Sequence, residues 1–193
     1  ERAIISAVEH ASVRAGGRFA SERIATIAVE RSGVVDLGHL DTLLAVGSPA
    51  LVSVMLANNE TGAIQPVAAI AERVHRAGGL LHVDAVQALG KIPFNVSELA
   101  ADLVSLSAHK IGGPKGVGAL VLAPGLTASE PLLRGGGQEQ GRRAGTENVI
   151  GIAGFGAAVQ AAIAGQEAER ARVEFLRARL EEILRQTCGI TVF

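Results

Sequence analysis

Two polar clusters carry the most specific chemistry in the chain. His82-Val83-Asp84-Ala85-Val86-Gln87 closes an apolar run with an acid and, three positions on, an amide; Ser107-Ala108-His109-Lys110 closes another with a hydroxyl, an imidazole and an amine. Residues 80–83 and Leu103–Ser107 both read as buried strands, so both clusters fall at strand C-terminal ends. A carboxylate at one strand end and a lysine at another are the two fixtures of a pyridoxal phosphate site. The lysine forms a Schiff base there, and the acid keeps the pyridine nitrogen protonated, which makes the ring an electron sink. Alone, the pair also fits an ordinary exposed lysine and a strand-end acid, because isolated charges mostly sit at the surface. A third segment runs from Gly135 to Gly145 and is followed by Thr146. It is too charged for a plain linker. Its three consecutive glycines let the backbone turn closely, and Thr146 places a hydroxyl at the start of a predicted helix, an anion-binding arrangement.

Positioning these groups requires a sheet. Residues 3–8, 24–29, 51–56 and 80–83, with Leu103–Ser107 and Gly118–Leu122, read as strands, several apolar without alternation, as in a sheet covered on both faces. Between residues 56 and 80 lies the clearest helix, with Pro66 in its first turn, Val67, Ile70 and Val74 on one face and Gly78 past its end. A weaker helical pattern covers Leu37–Leu44. The fold class is therefore α/β, a three-layer sandwich with a mostly parallel sheet, whose functional groups gather where strands end and loops begin. From Thr146 the text turns helical, rich in Ala and Gly to about residue 165, then dense in Glu and Arg over 167–186. Val173, Leu176, Leu180, Ile183 and Leu184 form one apolar stripe, with Glu181 and Arg185 spaced to pair on the wet side. Residues 190–193 read as a strand that opens a second, smaller domain. The expected division is residues 1–165 and 166–193.

Composition narrows the function classes. The 193 residues carry 18 Lys and Arg against 19 Asp and Glu, a net charge of −1, which argues against nucleic-acid or anionic-membrane partners. With 48% apolar residues a full core is expected, and no apolar run is expected to approach the ~18 residues that cross a bilayer, since Asn58, Asn59 and Glu60 cut off the best candidate, residues 50–57. Cys188, the only cysteine, excludes an internal disulfide and a cysteine-rich metal site and fits a reducing compartment, the cytoplasm. The chain begins Glu1-Arg2-Ala3 without an initiator Met, so it reads as an excerpt of a longer protein.

The wording around these clusters closely resembles the large domain of the cysteine desulfurases, in the class V aminotransferase group of fold-type I pyridoxal phosphate enzymes. The resemblance rests on Glu9-His10, Asn58-Asn59-Glu60-Thr61-Gly62, the segments 82–87 and 107–116, and the glycine-rich segment 135–146, in the family's order and near its spacing. It implies that Lys110 is the Schiff-base lysine, its amine made nucleophilic by burial. Asp84 would pair with the ring nitrogen and Gln87 with the phenolic oxygen of pyridoxal 5'-phosphate. Asn59 would reach the same edge of the ring, with Asn58 as the other candidate. His10 would lie over the ring and move protons, and Ser107 and His109 would donate to the phosphate. Thr146 would cross a two-fold axis to the phosphate of a second subunit, which implies a homodimer. His39, His75 and His82 have no partner pattern and read as surface or core residues.

The implied activity is removal of sulfur from L-cysteine, leaving L-alanine and an enzyme persulfide destined for iron–sulfur cluster or thio-cofactor assembly through acceptor or scaffold proteins. The nucleophilic cysteine and the arginine for the substrate carboxylate lie outside this chain in that reading. Cys188 lacks the family's Ser and Ala neighbours and reads as a structural thiol. Gln138 stands where many relatives have histidine, so no role is carried to it. Two alternatives remain open: another class V enzyme such as a selenocysteine lyase, and a catalytically inactive fragment that binds cofactor or dimerises.

Overall fold

The computed structural model describes residues 2–126 and 131–190. Six strands, β1 (Arg2–Ser6), β2 (Ile24–Ile27), β3 (Ala50–Met55), β4 (Leu80–Asp84), β5 (Leu103–Ser107) and β6 (Gly118–Leu122), form one sheet in the order β2-β1-β3-β4-β5-β6. All neighbours pair in parallel except β5 and β6. β1 ends two residues before the predicted boundary because Ala7 and Val8 turn out of the sheet; the carbonyl of Val8 is taken by the Asn58 side chain at 2.9 Å. The chain moves outward from β1 to β2 and then returns to β3 on the other side of β1. Parallel sheets bind ligands beyond the strand C-termini near such a reversal.

Helices α2 (Leu37–Leu44) and α3 (Val67–Arg76) cover one face. Leu40, Ile70 and Val74 meet Ile4, Val52, Val54, Leu81, Val83 and Val104 there in one aliphatic core. The alternation of a strand puts the intervening residues on the opposite face. There Ser53, His82 and Ser105 form a lateral line across β3, β4 and β5, with 2.7 Å between Ser53 Oγ and His82 Nδ1 and 2.7 Å between His82 Nε2 and Ser105 Oγ. His82 is thus a hydrogen-bonded sheet residue, and burial holds its pKa below the usual imidazole value despite the opposing pull of Asp84. The short helix α1 (Ala11–Arg14) and the loop after it lie over this face, where Val13 and Phe19 share a small cavity with Ile5, Ser53 and His82.

The last helix, α4 (Val149–Arg185), is one unbroken element through residue 165. It begins at Val149, later than the sequence suggests, because Asn148 supplies the cap, its Oδ1 accepting from Gly151 N at 3.0 Å. Its first half docks on the turn that carries Lys110. Phe155 is buried against Leu89 and Ala108, and Gly113 brings the turn so close that a Cβ there would stand 3.1 Å from Ala158 Cβ. Gln166 Nε2 donates to Ile92 O at 3.0 Å. The second half projects, with Val173, Leu176, Leu180 and Ile183 exposed and Glu181 paired to both Arg177 and Arg185.

The expectation that no apolar run approaches bilayer length is corrected by α4. Residues 149–166 carry no charge, and among the described residues this one helix is long and apolar enough to cross a membrane, with a window of mean hydropathy 1.5. Its apolar character comes mainly from Val149, Ile150, Ile152, Phe155, Val159 and Ile163, while its alanines and glycines permit close docking on the Lys110 turn. The predicted strand over 190–193 falls almost wholly outside the described residues.

Candidate functional site

Four parallel strands deliver the site. β1 leads to His10, β3 to Asn59, β4 ends in Asp84 with Gln87 in the turn after it, and β5 ends in Ser107, followed by a 3-10 turn, Ala108–Ile111, that carries His109 and Lys110. These seven residues, with Ser12, Met55 and Val86, line a single cavity of about 290 Å³. Asp84 is buried and its Oδ1 accepts from Val86 N at 2.9 Å, which fixes the carboxyl at the cavity floor. The Lys110 turn is closed by Gly112, whose φ of 82° is a left-handed conformation that a Cβ would disfavour.

The two asparagines separate cleanly. Asn58 is buried, its Nδ2 donating to Val8 O and its Oδ1 accepting from the amides of Glu60 and Thr61 at 2.8 Å each; it builds the loop. Asn59 is exposed and faces the cavity. His10 caps α1, with Ser12 N donating to its Nδ1 at 3.2 Å, so the neutral ring carries its proton on Nε2. Ser107 Oγ and His109 Nδ1 are 2.8 Å apart and share one proton between them. Gln87 Oε1 is engaged by Lys91 Nζ, one helical turn on, which leaves the Gln87 amide nitrogen as its donor. Burial lowers the Lys91 pKa, and the charge of Lys110 lowers it further.

Two expectations are corrected here. Lys110 was expected to be buried and is exposed in this chain; the turn that bears it packs on α4, and its side chain lines the cavity. Thr146 is exposed and precedes the α4 cap by two residues, so the start of the helix belongs to Asn148 and not to Thr146. Residues that sequence reasoning left without a role are Glu9, Ser12, Met55 and Lys91. Lys91 was visible as the i+4 neighbour of Gln87, and Glu9 as an acid directly following an apolar strand.

Residues 1–193 match the aminotransferase class-V family. The chain belongs to that family. Among curated relatives of this class-V chain, a cysteine desulfurase of Bradyrhizobium diazoefficiens is 47% identical over 187 residues, covering 94% of the chain and 47% of the relative. One from Cereibacter sphaeroides is 49% identical over 183 residues, covering 93% and 46%. The solved structure of a NifS-like protein from Rickettsia africae superposes with a TM-score of 0.92 at 38% identity, covering 98% of this chain and 53% of that one. A structure described as SspA in complex with cysteine gives a TM-score of 0.73 at 32% identity over 82% of this chain and 47% of that one. The class-V chain thus spans about half the length of the curated relatives it matches. Its family and its relatives imply a cofactor of the pyridoxal phosphate type, and the donor set fits one: a buried carboxyl on the floor, a lysine on the rim, an imidazole from β1 and a hydroxyl–imidazole pair at the end of β5.

Proposed function

We propose that this chain forms the cofactor-binding part of a pyridoxal 5'-phosphate-dependent cysteine desulfurase. The observation that carries the reading is that Asp84 and Lys110, from different strands, open into one cavity together with His10, Asn59, Gln87, Ser107 and His109. Curated cysteine desulfurases at 45–51% identity support the same activity. The bound cofactor supplies an electron sink for charge left at the α-carbon of the substrate.

Each side chain has a task that follows from its surroundings. Asp84, oriented by the Val86 amide, faces the ring nitrogen and holds its proton. Gln87, its carbonyl occupied by Lys91, donates through Nε2 to the ring oxygen, and Asn59 supports that edge. Ser107 and His109 donate to the phosphate. Lys110 would hold the cofactor through Nζ and would move protons at the substrate α-carbon, and His10 would offer Nε2 for the same exchange. The C–S bond of L-cysteine breaks, its sulfur passes to a thiolate of the full-length protein as persulfide, and the carbon skeleton leaves as L-alanine after taking up a proton.

In the same reading residues 1–165 form the cofactor domain and 166–193 lead to a second domain. Thr146, which does not line this chain's cavity, serves the phosphate site of a second copy in a homodimer. The sulfur goes to iron–sulfur cluster or thio-cofactor assembly, and the compartment is the cytoplasm, where one exposed cysteine stays reduced. The test adds pyridoxal 5'-phosphate and follows visible absorbance, then measures alanine released from L-cysteine by the full-length protein. A band lost in Lys110→Ala, together with alanine release, supports the reading. A band with release only from selenocysteine reassigns the substrate, and no band at all removes the cofactor.

A further inference from the structure

Glu9 is an acid that this chemistry leaves unused, and it is only 4% exposed. It stands between the end of β1 and His10. Its Oε1 accepts two hydrogen bonds of 2.7 Å, from Ser6 Oγ and from the backbone N of Met55 on β3. Its Oε2 is buried and has no hydrogen-bond partner among the described residues. One residue earlier, Asn58 Nδ2 holds Val8 O at 2.9 Å. The loop from β1 to α1 is therefore tied to the β3 side at two consecutive residues, and the next residue, His10, enters the cavity beside Met55.

We propose that Glu9 is a positioning residue: its buried carboxyl staples the β1–α1 loop to the end of β3 and so sets where the His10 imidazole stands over the cavity floor. The meaning of that position rests on the cofactor reading above; the staple itself rests on contacts within this chain.

Burial of the carboxyl also bears on the form of the acid. Both bonds to Oε1 favour the carboxylate, but the charge would be shared with a buried Oε2 that has no donor, and that desolvation favours the neutral acid. Burial pushes Glu9 from 4.5 up to about 7, against the Ser6 and Met55 hydrogen bonds and with help from the Asp84 charge. The charged group that acts on it is Asp84 on β4; His10, His109 and Lys110 line the neighbouring cavity with Asp84, His82 lies further back on β4, and β1 and β3 offer the Ser6 hydroxyl and the Met55 amide. The folded protein keeps a proton that the unfolded chain loses near 4.5. The associated stability is complete below that pH and is lost as pH rises through about 7.

The test compares wild type with Glu9→Gln, Glu9→Ala and Ser6→Ala by three readouts: His10 side-chain NMR resonances without cofactor, circular dichroism of bound pyridoxal 5'-phosphate, and the unfolding constant against pH. Glu9→Gln, a shape match for the neutral acid, leaves the resonances and the dichroism near wild type. Glu9→Ala moves both, and Ser6→Ala moves them less in the same direction. From well below pH 4.5 to well above pH 7 the wild-type unfolding constant rises relative to that of Glu9→Gln by up to about 300-fold, a ratio in which the contribution of His82 cancels. Unmoved His10 resonances in Glu9→Ala, or in Ser6→Ala should the alanine variant not fold, overturn the staple. A flat ratio over that pH range overturns the neutral acid. A wild type that never binds cofactor sinks the function above, and the His10 resonances still decide the staple.

Discussion

The two ends of the parallel strands each bear a cavity, and the larger is the chemically quieter. At the end where β5 begins, a space of about 570 Å³ is lined by His75, Asp102 and mostly apolar residues of β5, β6 and their loops. Its polar groups satisfy one another: His75 Nε2 lies 2.9 Å from Asp102 Oδ2, which also accepts from Leu81 N at 2.7 Å. At the opposite end, about 290 Å³ is ringed by His10, Asn59, His109 and Lys110, all exposed, over a buried Asp84. Volume does not separate the two. What separates them is hydrogen-bonding capacity not yet spent inside the chain, and that capacity collects where strand direction gathers the loops.

Substitutions at the two ends should therefore behave differently. The largest effect expected is Lys110→Ala, which abolishes the visible band formed with added pyridoxal 5'-phosphate; His75→Ala leaves that band intact, and an equal loss in both would break the contrast. Asp84→Ala in the full-length protein lowers alanine release by roughly 10²–10³-fold, the range for losing one oriented electrostatic partner, and steady-state turnover measures it. His75→Ala costs about 1 kcal/mol of stability by urea unfolding, because Asp102 loses one of its partners. His82 provides a pH test between the two ends. Its lowered pKa means that the unfolded chain binds a proton the folded chain refuses, so stability is complete above about 6.5 and falls as pH drops below it. His82→Gln flattens that acid limb of the urea midpoint. The smallest effect belongs to Lys91→Met, which releases Gln87 Oε1, moves the cofactor band without lowering its occupancy and changes stability by less than about 0.5 kcal/mol.

Much of the sheet was legible because its strands are unbroken apolar runs: Leu103–Ser107 and Gly118–Leu122 match to the residue, and Pro66 and Gly78 bracket α3. The clusters at 82–87 and 107–110 were legible as strand-end chemistry for the same reason. What the sequence hid depends on contacts far along the chain. Asn58 and Asn59 differ only in which one meets Val8, fifty residues upstream. In the sequence Glu9 enters only as the neighbour of His10, and its own contact appears when β3 is laid beside β1 and the Met55 amide reaches it. Lys110 was expected to be buried because it follows a core strand, yet Gly112 and Gly113 curl its turn over α4 and leave the amine outside. The exposed stripe of Val173, Leu176, Leu180 and Ile183 follows the predicted periodicity, but periodicity names a face without naming what meets it.

The serine–histidine–serine line under the sheet has one more effect, on how strands are aligned. Sliding β4 by a single residue would thrust an imidazole among the aliphatic side chains beneath α3 and turn Leu81 or Val83 outward. Such a misthreaded chain would strand two hydroxyls without their common partner and carry the terminal acid of β4 to the wrong side. The line thus works as a keyway, admitting one alignment of the three central strands.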